Sequence, residues 1–238
     1  MKRPASASRA LPVECPPLPR KPLEGLVNEM HPNTDAGKNK SAAPVERPPT
    51  PNPLPCITSN IPDFLKRLRR WILWAYTLDE KRGDWSKQPY QPNGQAHLAK
   101  ANDPKTWGSF DVAERVFRIF RQSKGYDGLG FVLGDGICGV DLDGCLRPDR
   151  TLEPWAAEIV AAFNCYTEVS PSGTGLKMFC RGTIDLPPFK TGVSSPYLDG
   201  ELLSGDAHCT KERKIEIYHE RKYFCVTGQR WPEWAVQG

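Results

Sequence analysis

The 238-residue chain has no apolar run near the roughly 20 residues that an α-helix needs to cross a bilayer. The longest in the part that reads as folded, Trp71 to Tyr76, has six residues. A soluble protein is expected. After Lys2 and Arg3 no continuous apolar core follows, so no secretory leader is expected either. The eight cysteines, at 15, 56, 138, 145, 165, 180, 209 and 225, form no C-x-x-C pair and no Cys/His spacing typical of a zinc site. His208-Cys209 is the only adjacent pair of potential ligands. Reduced thiols in an intracellular, cytoplasmic protein are the simpler expectation, with Cys138, Cys165, Cys180 and Cys225 acting as small hydrophobes in strand-like runs. No internal repeat occurs, and no G-K-[ST] sequence closes a P-loop.

Proline is abundant, but unevenly so: 13 of the 24 lie within the first 55 residues. That segment has few aromatic or β-branched residues and cannot bury enough surface to offset its ordering entropy. Residues 1–57 are therefore expected to be a disordered or extended tail and 58–238 the folded domain. With 32 basic and 28 acidic residues, the net charge of +4 permits a nucleic-acid partner without demanding one. The dense runs Lys66-Arg67-Leu68-Arg69-Arg70 and Lys211-Glu212-Arg213-Lys214 suit either solvated faces or a phosphate track.

In the folded part, Asp63 to Arg70 reads as a helix and Trp71 to Tyr76 as a buried strand. A polar, hairpin-like stretch follows, with Lys87-Gln88-Pro89-Tyr90 and Pro92-Asn93-Gly94 as turn chemistry. Phe110 to Ser123 is amphipathic, with Val112, Val116, Phe117 and Phe120 near one face and Ser109 as cap. Leu129 to Leu133 and Ile137 to Asp143 read as strands joined at Gly134-Asp135-Gly136. Leu152 to Phe163 reads as a helix with Pro154 in its first turn. Strands are expected at Tyr166 to Val169, Leu176 to Cys180, Lys214 to Tyr218 and Tyr223 to Thr227, with 181–210 an irregular insertion. Helices interleaved with hairpins give an α/β or α+β domain around a mixed sheet. Trp71, Trp74, Trp107, Trp231 and Trp234 are read as packing residues, although such rings also stack on bases.

Three clusters carry chemistry. Alternation along Ile137 to Asp143 puts Val140 and Leu142 on one face and Asp141 and Asp143 on the other. The two acids then stand about 6.6 Å apart at Cα, close enough to share a hard divalent cation such as Mg²⁺ or Mn²⁺. Taken alone, such a pair is equally two solvated acids after a turn. The second cluster is Ser170-Pro171-Ser172-Gly173-Thr174-Gly175-Leu176-Lys177. It offers an anion nest of backbone N–H groups with the Ser172 and Thr174 hydroxyls and the Lys177 ammonium nearby, or simply a hairpin connection. The third is Glu216, a carboxylate between apolar neighbours, which points to solvent or needs a cation. Together they describe a cation-bridged polyphosphate site of the two-metal kind.

These motifs, in the order Asp141-Leu142-Asp143, then Ser172-Gly173-Thr174-Gly175-Leu176-Lys177, then Glu216-Ile217-Tyr218 with Tyr223-Phe224-Cys225-Val226-Thr227-Gly228, resemble the archaeo-eukaryotic primase superfamily. More narrowly, they resemble the bifunctional primase–polymerase domain of phage, plasmid and mobile-element replication proteins. Lys87 to Gly94 and Asp103 to Trp107 are similar to that group's N-terminal signature, so the resemblance covers about residues 65–232.

The resemblance implies an RRM-like sheet with flanking helices and metal-ligand roles for Asp141, Asp143 and Glu216. It implies triphosphate contacts from Ser172, within the Ser172 to Gly175 loop, and from Lys177, and a basic residue near the site at Lys87. The reaction implied is metal-dependent, template-directed nucleotidyl transfer on single-stranded DNA from NTPs or dNTPs, with unwinding supplied by a helicase on a separate chain. The family pattern has histidine where this sequence has Lys177, and arginine where it has Lys222 beside Arg221. Both departures keep positive charge, but lysine is a point charge and not a neutral imidazole donor. A catalytically weak nucleotide- or single-strand-binding accessory module is the alternative. A nuclease using the same acids lacks a histidine placed as an obvious general acid or base.

Overall fold

The computed structural model describes residues 47–183 and 213–233, all within one compact unit, Pro44–Gly238. Eight strands form two four-stranded sheets, and every pair of neighbours within them is antiparallel. The expected helix-flanked α+β class holds, while the single mixed sheet resolves into these two.

The first sheet has the order β2 (Asp84–Tyr90), β1 (Trp71–Asp79), β3 (Gly128–Val132), β8 (Tyr223–Val226). Lys87, expected in a turn, lies inside β2, where it pairs with Tyr76. A polar strand containing Pro89 is tolerated because β2 is an edge, where a missing N–H breaks no inner ladder. Helix α2 (Phe110–Lys124) lays Ala113, Val116 and Phe117 against Trp71, Leu129 and Phe131. Its N-cap is the expected Ser109, whose hydroxyl accepts from the Val112 N–H, and Gly125 closes it in the left-handed conformation. The helix expected over Asp63 to Arg70 shrinks to α1 (Asp63–Lys66). Arg70 instead turns in to donate to the Val132 and Leu133 carbonyls, each at 2.7 Å.

The second sheet has the order β5 (Tyr166–Val169), β6 (Leu176–Arg181), β4 (Ile137–Asp143), β7 (Lys214–Tyr218). Helix α3 (Pro154–Phe163) connects β4 to β5, and β6 then inserts between them, a split β-α-β arrangement of the RRM-like kind. One face of this sheet carries Val140, Leu142, Leu176, Met178 and Ile215 and packs under Trp155 and Ala156 of α3. The opposite face meets the first sheet through rings: Phe179 on β6 lies edge-on to Phe131 at 6.2 Å and to Phe224 at 5.7 Å. Gly139 makes that approach possible, since a Cβ there would lie 2.4 Å from a Phe224 ring carbon.

Residues 47–57, expected in the tail, lie on the folded unit instead. The Leu54 N–H donates to the Pro171 carbonyl at 2.8 Å, and that of Ile57 to Thr227 at 2.7 Å. Gln229 donates to the Pro55 carbonyl at 2.7 Å. Leu54 and Cys56 pack against the two main cores. Prolines suit this segment because an extended strap bonded at intervals needs few of its own N–H groups. Residues 1–46 of the expected tail, 184–210 of the expected insertion and Trp234 lie outside the described residues. Trp71, Trp74 and Trp107 are buried, and Trp231 packs on the second core, as packing residues do.

The expectation of reduced thiols fails at one pair. A disulfide joins Cys165 and Cys180, which sit at adjacent ends of β5 and β6 with Cα atoms 5.1 Å apart. The thiols of Cys138 and Cys225 are buried.

Candidate functional site

The register of the second sheet assembles the site. Asp141 on β4 stands directly opposite Glu216 on β7 and Lys177 on β6, and Lys177 stands opposite Glu168 on β5. Directly opposed residues of neighbouring antiparallel strands have Cα atoms about 4.5–5.5 Å apart. Glu168, Lys177, Asp141 and Glu216 therefore form one row across all four strands, on the face turned away from α3. Asp143 follows Asp141 by two residues on that face, opposite Lys214. The three acids singled out in the sequence thus occupy neighbouring register positions on one sheet face, with Glu216 directly opposite Asp141.

Each acid in the row has a distinct environment. The Asp141 side chain is 8% exposed, and its Oδ2 accepts from the Lys177 ammonium. Its Oδ1 is buried with no hydrogen-bond partner. Glu216 is more open: Oε1 pairs with the Lys214 ammonium and Oε2 accepts from the Tyr218 hydroxyl at 2.7 Å. Partial burial works against its charge, but those two partners and the nearby Lys222 hold its carboxyl below the usual range. Lys222 itself lies over the Tyr218 ring at 4.7 Å.

Lys177 is the buried cation of the row, its ammonium 4.8 Å from the centroid of the Phe224 ring. Burial disfavours its charge, yet the attraction and hydrogen bond of Asp141, with Asp143 beyond, outweigh it and raise its pKa. Lys87 reaches the same region from β2. Its ammonium lies 5.9 Å from the Trp74 ring centroid and 5.8 Å from that of Tyr76, and its carbonyl accepts from the Tyr223 hydroxyl. The Cys225 thiol registers both lysines. Burial pushes it up to about 11, while Lys87 and Lys177 pull against that shift.

The Ser170 to Gly175 loop is a closed turn. The Gly173 N–H donates to the Ser170 carbonyl at 2.9 Å, and the Ser170 N–H to the Gly175 carbonyl at 2.8 Å. The hydroxyls of Ser170, Ser172 and Thr174 form a chain with spacings of 3.0 and 2.9 Å, and Ser172 is its exposed member. A Cβ on Gly175 would lie 2.4 Å from the Leu142 carbonyl oxygen, so glycine lets this loop close onto β4 beside Asp143. Lys177 follows the loop but is turned inward to Asp141, not outward to Ser172.

Glu168 was not among the residues singled out by sequence. It is fully buried and accepts from the Tyr166 hydroxyl at 2.8 Å, the Thr227 N–H at 2.8 Å and the Gly228 N–H at 3.0 Å. It thereby ties the exit of β8 to the second sheet. Desolvation drives its carboxyl up to about 7 against those three donors and the Lys177 charge. The one local signal is that Glu168 shares a strand face with Tyr166; its place beside Lys177 follows only from the register.

Among the described residues, no three His, Cys, Asp or Glu side chains are gathered as a metal-binding group. Lys177 and Lys214 each hold one oxygen of the facing acids. The buried, unpartnered Asp141 Oδ1 remains as an acceptor suited to a cation.

No protein-family model matches the chain. A curated protein, the DNA primase-polymerase of Nitratiruptor phage NrS-1, is 31% identical over 168 residues. That match covers 69% of this chain and 20% of the relative, so the chain spans about a fifth of the length of the protein it resembles.

Proposed function

Because the chain belongs to the DNA primase–polymerase family, we propose that it carries out metal-dependent, template-directed nucleotidyl transfer. Single-stranded DNA is the template and NTPs or dNTPs are the substrates. The setting is replication of a phage, plasmid or mobile element in the cytoplasm, with a separate helicase opening the duplex. No helix among the described residues is long and apolar enough to cross a membrane.

The observation that carries this reading is the row itself, in which Asp141 and Glu216 oppose one another, Asp143 lies beside them and Asp141 Oδ1 is buried without a partner. Asp141, Asp143 and Glu216 would hold Mg²⁺ or Mn²⁺, which when bound polarises phosphate oxygens and neutralises charge as it develops. Ser172 and Thr174 present hydroxyls, and Lys87 and Lys222 present ammonium groups, for the triphosphate. The primer 3′-hydroxyl attacks the α-phosphate: the new P–O bond forms, the α–β bridge bond breaks and pyrophosphate leaves. The protein's part is to position and to compensate charge.

A weaker, binding-only accessory role is favoured by one observation, that lysines already engage Asp141 and Glu216. One assay separates the readings. The protein is incubated with Mn²⁺ or Mg²⁺, labelled nucleotides, and a bare or primed single-stranded template. Extended or de novo products that vanish in the Asp141→Ala, Asp143→Ala double variant are expected. Nucleotide binding without product would establish the accessory role and overturn the polymerase.

A further inference from the structure

We infer that an open cleft at the start of β1 is a separate anion site, which holds the phosphate backbone of a single-stranded polynucleotide. This deepens the reading above and rests on it in one respect, that a DNA strand is the partner. The cleft has a volume of about 180 Å³, and Arg69, Gln91, Asn93, Lys105, Trp107 and Gly108 are among the residues that line it. It brings together features of the sequence that the acidic row leaves unused: the basic run that ends at Arg70, and the stretches around Asn93 and Lys105.

The chemistry of the lining selects an anion. No acid is among the described residues that line the cleft. Their side-chain acceptor oxygens are already engaged. Gln91 Oε1 accepts from the Asn93 amide at 3.3 Å, Asn93 Oδ1 from the Gln95 N–H at 3.0 Å, and Thr106 Oγ1 from the Lys100 N–H at 3.0 Å. What remains is donors. The Gln91 and Asn93 amides each keep an N–H beyond the one they use. Arg69 and Lys105 are exposed cations with no ion-pair partner among the described residues. Asp103, the acid nearest to Lys105 in sequence, accepts from its backbone N–H at 3.1 Å and caps the 3₁₀ turn Pro104–Thr106.

The wall behind these donors is fixed. Trp107 is buried, its indole donates to the Lys100 carbonyl at 2.8 Å, and the Arg70 guanidinium lies over its ring at 4.6 Å. A bridge between Trp71 and Gly108 ties the Arg69 side of the cleft to the Lys105 side, so the two cations stand on one braced frame. Arg67 and Lys100, exposed as well, continue the positive surface on either side. Exposed cations in a series suit a groove that tracks a strand, where an enclosed small anion would need buried donors. Because Trp107 is buried, its ring is not offered to a base, so the cleft reads backbone and not sequence. Trp71 at the cleft and Tyr76 opposite Lys87 are five residues apart on β1, roughly 16 Å at about 3.3 Å per residue. The cleft is therefore distinct from the triphosphate contacts.

The test is fluorescence anisotropy of a labelled single-stranded oligonucleotide on the full chain, without metal or nucleotide, over a series of salt concentrations. The Arg69→Gln, Lys105→Gln pair is compared with Arg121→Gln, Lys124→Gln, which removes the same charge in the last turn of α2. For the cleft pair, binding is expected to weaken equally for strands of different sequence. The slope of log K against log salt should fall by about 1.4, from two phosphate contacts at about 0.7 each. The α2 pair and Lys105→Arg are expected to keep the slope of the unaltered protein. Equal changes in the two pairs would overturn the proposal, as would an unchanged slope in the cleft pair or no strand binding by the unaltered chain. Loss of labelled-nucleotide binding with strand binding intact would assign the cleft to free nucleotide and overturn it too. Cleft-dependent strand binding without primer extension would uphold the proposal and overturn the polymerase. Primer extension with cleft-independent strand binding would do the reverse.

Discussion

Glu168 shows how a single side chain couples the site to the stability of the chain. Its carboxyl is buried beside Lys177, Tyr166 and the Thr227–Gly228 backbone, with Arg230 paired to it across a backbone bridge. In the unfolded chain it ionises near its ordinary value of 4.5, and in the fold near 7. Between those limits the native state holds the proton more tightly, so this group's contribution is full below about pH 4.5 and is lost as pH rises to 7. The loss is on the order of 3 kcal/mol at 1.36 kcal/mol per pKa unit. Glu168→Gln keeps one carbonyl oxygen for one of the two N–H groups, turns an amide NH2 toward the other and removes the titration. Its thermal midpoint should therefore fall less than that of the unaltered protein between pH 5 and 7.5, with no further divergence above pH 8. Parallel midpoint curves for the two proteins would contradict this account.

The same residue marks what was legible in the sequence. Asp141 and Asp143 were readable because a period of two needs only local order. Glu168 and the Lys177–Asp141 bond depend on which strands become neighbours, and that information is spread over residues 141 to 216.

At the level of elements, strands and helices with a strong local pattern appear where their patterns place them: α2 with its serine cap, α3 with its proline entry, and β3 and β4 around their glycine turn. The hairpin-like character of β2 was legible but its residues 87–90 read as turn, because Asp84, Ser86, Lys87 and Pro89 have low strand propensity and pairing with β1 fixes them. α1 was over-extended because Arg70 gains more from the Val132 and Leu133 carbonyls than from another helical turn. Loop closure onto β4 yields a prediction here. Gly175→Ala places a methyl 2.4 Å from the Leu142 carbonyl oxygen, a backbone atom that cannot swing aside. It should cost about 1–3 kcal/mol, as overpacking does, and show as a lower denaturant midpoint with an unchanged m-value. An unchanged midpoint would mean that the loop does not need this contact.

At the scale of the described unit, the strap at 47–57 crosses from one sheet to the other. The Trp85 indole near the β1–β2 turn donates to the Pro48 carbonyl at 3.2 Å. Further along, the strap is bonded to the Pro171 and Thr227 carbonyls. It went unread because its proline content is what a solvated tail also has, and only the surfaces it lies on distinguish the two. Leu54→Asp puts a charge against the second hydrophobic core. It should lower stability by about 1–3 kcal/mol and speed hydrogen exchange at the Ser170 and Gly173 amides, which close the loop beneath it. Unaltered exchange at both amides would show that the strap does not brace the loop.

The charged row has one more property. Its members share a strand face with Phe179 and Tyr218, while the residues between them, Ile215, Ile217, Val140 and Met178, lie under α3. A one-residue insertion or deletion inside β7 would therefore drive Glu216 into oil and leave an isoleucine facing Asp141. The hydrophobic cores on either side of the sheet act as a proofreader for the charges: misalignment is rejected by the folding reaction before any chemistry is attempted.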